Sequence, residues 1–154
     1  MRILSLIAVV LFVPALAAPA WAGMKENCEQ ERDWNLKISG CTGAIDSGQW
    51  QGKDLASAYN NRGLAYINLG EHRRGIENYN EALRLDPGYA LAYYNRGTFY
   101  YGLGEYRRAI EDFDEALRLD PGFALAYHNR GYAYDGLGDN ARAIEDYDLS
   151  LIHI

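Results

Sequence analysis

Few residues in this chain of 154 have the types and spacing that chemistry requires. The three histidines, His72, His128 and His153, are scattered, and a lone histidine on a helix surface is more often solvated or hydrogen-bonded than catalytic. The acids at positions 111, 112 and 114 follow two arginines, which is typical of a solvated charged face. The sequence contains no Ser/His/Asp signature, no H-E-x-x-H motif and no phosphate-binding glycine loop. It therefore predicts a protein that is not an enzyme and has neither a cofactor nor a metal site.

Cys28 and Cys41 are the remaining candidates for covalent chemistry. They are the only two thiols, so one intramolecular bridge is possible, and it would stabilise the fold by roughly 3 kcal/mol in the chain-entropy model. On one straight helix their sulfurs would lie about 20 Å apart. Cys28 must therefore lie on a segment that folds back against the helix carrying Cys41, for which Asp33 is a plausible N-cap. The alternative is two unpaired thiols. A metal site is not expected, because no histidine lies nearby.

The N-terminus has the three parts of an export signal. Arg2 precedes the apolar run 3–13, and the tripeptide AWA at 20–22 fits an A-x-A cleavage site. We expect a signal peptide over 1–22 and a mature chain from Gly23, located in the periplasm or, alternatively, secreted. Both compartments permit disulfides. No stable membrane insertion is expected after cleavage. The other interpretation is an uncleaved interfacial anchor.

Charge and composition indicate the class of partner. The formal net charge is −6, which argues against the basic patch that nucleic-acid phosphates require. The chain has 13 tyrosines, which cover apolar area while keeping a polar tip and so suit contact surfaces. We therefore expect a protein or peptide partner and no nucleic acid.

A motif, Tyr-x-Asn-Arg-Gly-x-x-Tyr, occurs three times, and its glycine falls at Gly63, Gly97 and Gly131, which are 34 residues apart. Leu-Gly follows each copy, and Asp-Pro-Gly ends the first two units; both are helix stop signals. Each unit holds two apolar-periodic segments joined by a tight turn, so the two must pack antiparallel. The predicted fold class is all-α.

This interval and these residues resemble the tetratricopeptide repeat over residues 55–154. The resemblance implies a right-handed solenoid of antiparallel helix pairs, with about three repeat units and an N-terminal half-unit. Within the predicted N-terminal cap segment 23–54, Cys41 stands at the repeat's aromatic position and Ala44 at its small one. Stacked repeats need covered ends, and a disulfide would stiffen this one. The chain thus resembles small exported bacterial repeat proteins with a cysteine-bearing N-terminal segment. The predicted units are 56–89, 90–123 and 124–154.

Motif residues that are identical in all units are expected to form the scaffold. The motif arginines would lie along apolar surface and reach carboxylates such as Glu77, Asp112 and Asp146. The motif asparagines would bond to backbone or to a neighbouring helix. The alternative is a ladder of arginines that binds a repeating polyanion.

Binding is expected on positions that vary between units. The resemblance places the concave side on the first helix of each unit, where this chain lacks the lysines with which some family members hold a peptide's terminal carboxylate. An aromatic groove suits an extended or helical peptide, although we expect about half of its tyrosines only to pack between helices. The predicted partner-binding groove residues are Asn60, Leu64, Tyr94, Thr98, Tyr101, His128, Tyr132 and Asp135.

The last segment carries apolar residues where earlier units carry charges. Leu149 replaces a glutamate and Ile152 replaces an arginine, so the helix is apolar on more than its inner face. We expect a partner or a homodimer contact there, the alternative being a tail with no role. The predicted self-association edge comprises Tyr147, Leu149, Leu151, Ile152 and Ile154.

These features together predict an exported, non-catalytic protein–protein interaction module. The alternative is a cell-envelope structural or assembly subunit that acts through its apolar C-terminal edge. An enzyme is the third and weakest interpretation.

Overall fold

The structure is a computed structural model and describes residues 20–30 and 32–153. Within these residues it contains eight α-helices and no strand, which confirms the all-α prediction. The apolar run 3–13 and Ile154 lie outside the described residues. The helices are α1 (Ala20–Glu29), α2 (Trp34–Asp46), α3 (Gly52–Asn68), α4 (His72–Leu85), α5 (Ala90–Gly102), α6 (Tyr106–Leu119), α7 (Ala124–Gly136) and α8 (Asn140–Ile152).

A Schellman motif closes the first helix of each repeat. Gly70, Gly104 and Gly138 have φ values of 79°, 75° and 79°, a left-handed conformation that glycine adopts without steric cost. The amide of Glu71 then donates to the carbonyl of Tyr66 at 2.9 Å, and the same bond recurs in both later units. The chain reverses within two residues, so each repeat becomes an antiparallel helix pair.

The motif glycines allow the two helices of a pair to approach closely. A Cβ on Gly97 would lie 2.9 Å from the Phe113 ring, and one on Gly131 would lie 2.7 Å from the ring of Tyr147. Real Cβ atoms essentially never come this close. Tyr79 and Phe113, the aromatic residues of the second helices, are therefore buried to 1% and 0% exposure against the first helices. The stack of pairs α3–α4, α5–α6 and α7–α8 is the predicted helical solenoid.

The N-terminal segment is a complete helix pair. Asp33 caps α2 and accepts from two backbone amides, and Cys28 of α1 forms a disulfide with Cys41 of α2. The predicted fold-back is therefore confirmed. The predicted half-unit gains a first helix, α1, because Gly40 has no side chain: a Cβ there would lie 2.6 Å from the backbone nitrogen of Cys28. The expected signal-peptide boundary at Gly23 falls within α1. None of the helices in the described ranges combines the length and apolar character needed to cross a membrane.

Candidate partner-binding groove

The motif arginines hold neighbouring units together. Arg96 of α5 donates two hydrogen bonds to Asp112 of its own unit, at 2.8 and 2.6 Å, and one to Asn80 of the preceding unit at 2.6 Å. Arg130 repeats this pattern with Asp146 and Asp114. Bidentate pairing uses the planar guanidinium fully. The arginine heads are therefore occupied within the scaffold, as the structural interpretation of the motif expects.

The first motif arginine has a different partner from the one predicted. Arg62 donates to the amide oxygen of Asn78 at 2.8 Å and to Thr42 of α2 at 3.2 Å. The prediction of Glu77 is wrong, since Glu77 lies on the exposed side of α4, 3.5 Å from Arg73. Asn78 is the repeat equivalent of Asp112 and Asp146. Its side chain faces α3, where it accepts the bond from Arg62. The bond to Thr42 joins the N-terminal cap to the stack in the same way that later units join.

Burial affects the charge pair in the middle of the stack. The Asp112 side chain is only 7% exposed and that of Arg96 is 20% exposed. Burial raises the pKa of the Asp112 carboxyl above its ordinary value, while the hydrogen bonds from Arg96 act in the opposite direction. Removal of either partner would leave a desolvated charge, so this pair holds α5 against α6 within one unit, while the bond from Arg96 to Asn80 joins that unit to the preceding one.

Asparagines link the first helices along the predicted groove. Asn95 donates to the side-chain oxygen of Asn60 at 3.0 Å, and Asn60 itself is 1% exposed. Asn129 donates to the Tyr94 hydroxyl at 3.1 Å and to Thr98 at 3.3 Å. The expectation that motif asparagines reach a neighbouring helix is met in α5 and α7. These bonds place α3, α5 and α7 side by side.

The groove aromatics lie mainly in the C-terminal half, where they pack on one another. Tyr94 contacts the ring of Phe123 at a centroid distance of 4.8 Å and so faces the seam between units. Tyr101 stacks on Tyr132 at 6.2 Å, and His128 meets the edge of Tyr132 at 4.6 Å. Tyr132 remains 43% exposed, so it presents a ring to solvent.

The N-terminal half of the groove contains an open pocket between α3 and α5. Its volume is about 370 Å³ and its lining is largely apolar. Two predicted groove residues, Leu64 and Thr98, line it, whereas Asp135 is exposed at the far end of α7. The predicted groove residues do not include Phe99, although Phe99 stands where the other units have alanine, which was the available signal. The lining residues are Leu64, Ile67, Asn68, His72, Tyr79, Asn95, Thr98, Phe99, Gly102 and Leu103.

The C-terminal edge exposes apolar side chains of α8. Leu151 is 70% exposed and Ile152 is 73% exposed. Tyr147 instead contacts the rings of His128 and Tyr132 within its own unit. Leu149 is partly buried.

Ile144 is a further edge residue that sequence reasoning missed; it is 61% exposed. Its equivalents Ile76 and Ile110 pack against the core cluster around Phe113. The residue type is the same at all three positions, so the exposure of Ile144 follows from the packing of its neighbours and not from the repeat pattern.

Within the described ranges, no group of three or more His, Cys, Asp or Glu side chains is arranged to hold a metal ion. The row of first helices carries an apolar pocket between α3 and α5 and the exposed ring of Tyr132 on α7.

Comparison with solved structures places this architecture among repeat proteins. The crystal structure of MamA superposes with a TM-score of 0.69 at 29% identity, over 78% of this chain and 68% of that chain. The second tetratricopeptide domain of Spaghetti (RPAP3), bound to the HSP90 peptide SRMEEVD, gives 0.63 at 28% identity, over 73% of this chain and 99% of that chain. The first domain of the same protein, bound to the same peptide, gives 0.65 at 25% identity over 67% and 82%.

Family models agree with the superpositions. No curated protein matches the sequence significantly. A tetratricopeptide repeat model matches residues 56–89 and 90–123, and a second model of the same repeat matches 113–145. The matched region runs from residue 56 to residue 145, which is more than half of the chain. The chain belongs to the tetratricopeptide repeat family.

Proposed function

We propose that this protein is a non-catalytic interaction module that binds a peptide or protein partner in the concave groove formed by α3, α5 and α7. The observation that carries the proposal is the open apolar pocket between α3 and α5, together with the exposed ring of Tyr132 on α7. Hot spots of interfaces are enriched in such rings and in pockets that exclude water.

The solved relatives support a peptide as the partner. Two tetratricopeptide domains similar to this chain are bound to the HSP90 peptide SRMEEVD, of whose last four residues three are acidic. The predicted groove residues of this chain include neither lysine nor arginine, and the motif arginines are engaged by carboxylates and amides. An acidic peptide end is therefore a poor fit here, and a peptide with apolar and aromatic side chains suits the groove better.

The proposal includes the cellular compartment in which the protein acts. The export signal predicted over residues 1–22 and the disulfide between Cys28 and Cys41 both fit an oxidising compartment, for which we propose the periplasm.

The test is capture of a partner from an envelope extract of the source cell. A groove variant, Thr98→Glu with Tyr132→Ala, changes two exposed side chains; because it also removes the ring contacts of Tyr132 and alters the bond from Asn129, circular dichroism must establish that it folds. Glu111→Ala, on the exposed face of α6, is the matched control. A partner held by the parent and the control and lost by the groove variant is expected. Equal capture by all three baits would remove the groove from the proposed function.

A second candidate function, assembly through the C-terminal edge, rests on repeat equivalence. Leu151 is the equivalent of Leu83 and Leu117, which are 8% and 6% exposed because the following unit covers them, whereas Leu151 is 70% exposed. Asp148 has the position of Asp114, the carboxylate that accepts from an arginine of the following unit.

A homodimer through this edge would bury these side chains. Sedimentation at increasing concentration tests it, with Leu151→Glu and Ile152→Glu as the edge variant. A parent that stays a monomer at every concentration, like the edge variant, would remove self-association.

A further inference from the structure

The three repeats provide an internal comparison of two equivalent sites along the groove. One lies between α5 and α7 and the other lies between α3 and α5, and each residue of the first has a counterpart 34 positions earlier in the second. Because the helix pairs repeat, a difference in how the two sites are filled must come from the side chains.

The site between α5 and α7 is filled by this chain's own aromatic rings. A Cβ placed on Gly136 would lie 2.7, 2.8 and 2.9 Å from three ring atoms of Tyr106. Tyr101 packs on the other side of Tyr106, with centroids 5.7 Å apart, and it also stacks on Tyr132. Gly136 therefore provides the space in which the Tyr106 ring lies.

The equivalent site between α3 and α5 is open. The counterparts of Gly136, Tyr106 and Tyr132 are Gly102, His72 and Thr98. A Cβ on Gly102 would meet no atom within 4 Å, because the ring of His72 packs against Phe99, with centroids 5.2 Å apart, and does not reach the glycine. The space that an aromatic ring fills in the next unit is here the pocket of about 370 Å³.

We propose that this pocket binds an aromatic side chain of the partner, in the place that the Tyr106 ring takes one repeat further on; the inference rests on the proposed peptide-binding function. The walls from Leu64, Ile67 and Phe99 supply the apolar contact that a ring needs. Asn68 and Thr98 add an amide and a hydroxyl to the lining, which can pair with a phenol or indole donor. The partner is therefore a peptide anchored by tyrosine, phenylalanine or tryptophan.

The test is a titration of the full chain, exported and purified as cells produce it, with single blocked amino acids monitored by backbone amide NMR. N-acetyl-tyrosinamide is the probe, and N-acetyl-leucinamide and N-acetyl-alaninamide are the comparisons. We expect the tyrosine probe to shift the amides of Ile67, Thr98 and Gly102 and to bind about tenfold more tightly than the leucine probe. Equal affinity for the leucine and tyrosine probes, or shifts that do not localise to α3 and α5, would overturn the proposal.

Gly102→Leu tests the pocket directly because the new side chain points into open space. Glu111→Leu adds the same side chain on an exposed face of α6 and is the matched control. Urea unfolding of both variants establishes that they fold. We expect Gly102→Leu to abolish the tyrosine-dependent shifts and the control to retain them; retention in both variants would contradict the assignment.

The two proposals can fail separately. In one case the groove variant loses its partner, Gly102→Leu keeps it, and the tyrosine probe does not bind. The proposal that the pocket binds an aromatic side chain is then wrong, and the proposal that the groove binds a peptide is retained. If the tyrosine probe binds the pocket but no partner depends on the groove, the peptide-partner part of the inference is overturned.

Discussion

Alanine at Gly102 and alanine at Gly136 should change the free energy of unfolding in opposite directions. Both glycines are the last residues of their helices and lie 34 positions apart. Replacement by alanine should therefore bring a similar gain in helix propensity at each position. Glycine costs up to about 1 kcal/mol relative to alanine inside a helix, and a terminal position retains about half of that. Gly102→Ala should therefore stabilise the protein by about 0.5 kcal/mol, because its Cβ meets no neighbour.

The same change at Gly136 must displace a ring. Its Cβ would lie under 3 Å from three atoms of Tyr106. Overpacking of this kind costs about 1 to 3 kcal/mol, and the lower end applies because the ring is at the free end of its side chain. The expected net effect of Gly136→Ala is a loss of about 0.5 kcal/mol. The two variants should thus differ by at least about 1 kcal/mol.

Urea unfolding followed by circular dichroism measures both variants, with the slope m as a check that the transition stays comparable. Tyr106→Ala provides the control: in that background Gly136→Ala should become stabilising, since the ring it displaces is gone. This is a double-mutant cycle between two contacting residues. Equal effects of the two glycine changes, or no coupling to Tyr106, would refute the claim that one site is filled and the other open.

Three further predictions concern the scaffold. Serine at both cysteines should lower the free energy of unfolding by about 3 kcal/mol, as measured by urea unfolding, because the bridge closes a loop with a sequence separation of 13; unchanged stability would contradict the structural role of the bridge. Arg96→Ala should lower the free energy of unfolding by about 3 kcal/mol, because it leaves the buried Asp112 unpaired. Arg62→Ala should lower it less, because the partners of Arg62 are neutral. Equal losses in urea unfolding would argue against the charge effect. Leu117→Ala should lower the free energy of unfolding by about 2 kcal/mol or more and Leu151→Ala by under about 0.5 kcal/mol, since only Leu117 is buried. A comparable loss for Leu151→Ala in dilute solution would show that the side chain of Leu151 is covered.

The helix pairs could be predicted from the sequence because local signals and the 34-residue interval agree. The Leu-Gly turn fixes each Schellman motif, and the motif glycine fixes the close approach of two helices. Asp33 as a cap and the fold-back of Cys28 followed from the same kind of local reasoning. Such features depend on residues close in sequence or on the repeat register, so one chain is sufficient to find them.

The detailed shape of the groove could not be predicted in the same way. Whether Tyr106 or a partner fills the space beside a glycine depends on side-chain directions, which the repeat register does not specify. The error at Glu77 has a different cause: the 34-residue register makes Asn78 the equivalent of Asp112 and Asp146, but the prediction chose the neighbouring carboxylate over the neutral amide. Ile144 was missed because its exposure depends on which neighbouring unit is packed against it.

The most direct test compares four baits in their capture of a partner from an envelope extract: the parent, Gly102→Leu, the control Glu111→Leu, and the edge variant Leu151→Glu with Ile152→Glu. We expect the parent, the control and the edge variant to hold the same partner and Gly102→Leu to lose it. A partner that Gly102→Leu still holds and that only the edge variant loses would contradict binding in the pocket and place the function of this protein at its C-terminal edge.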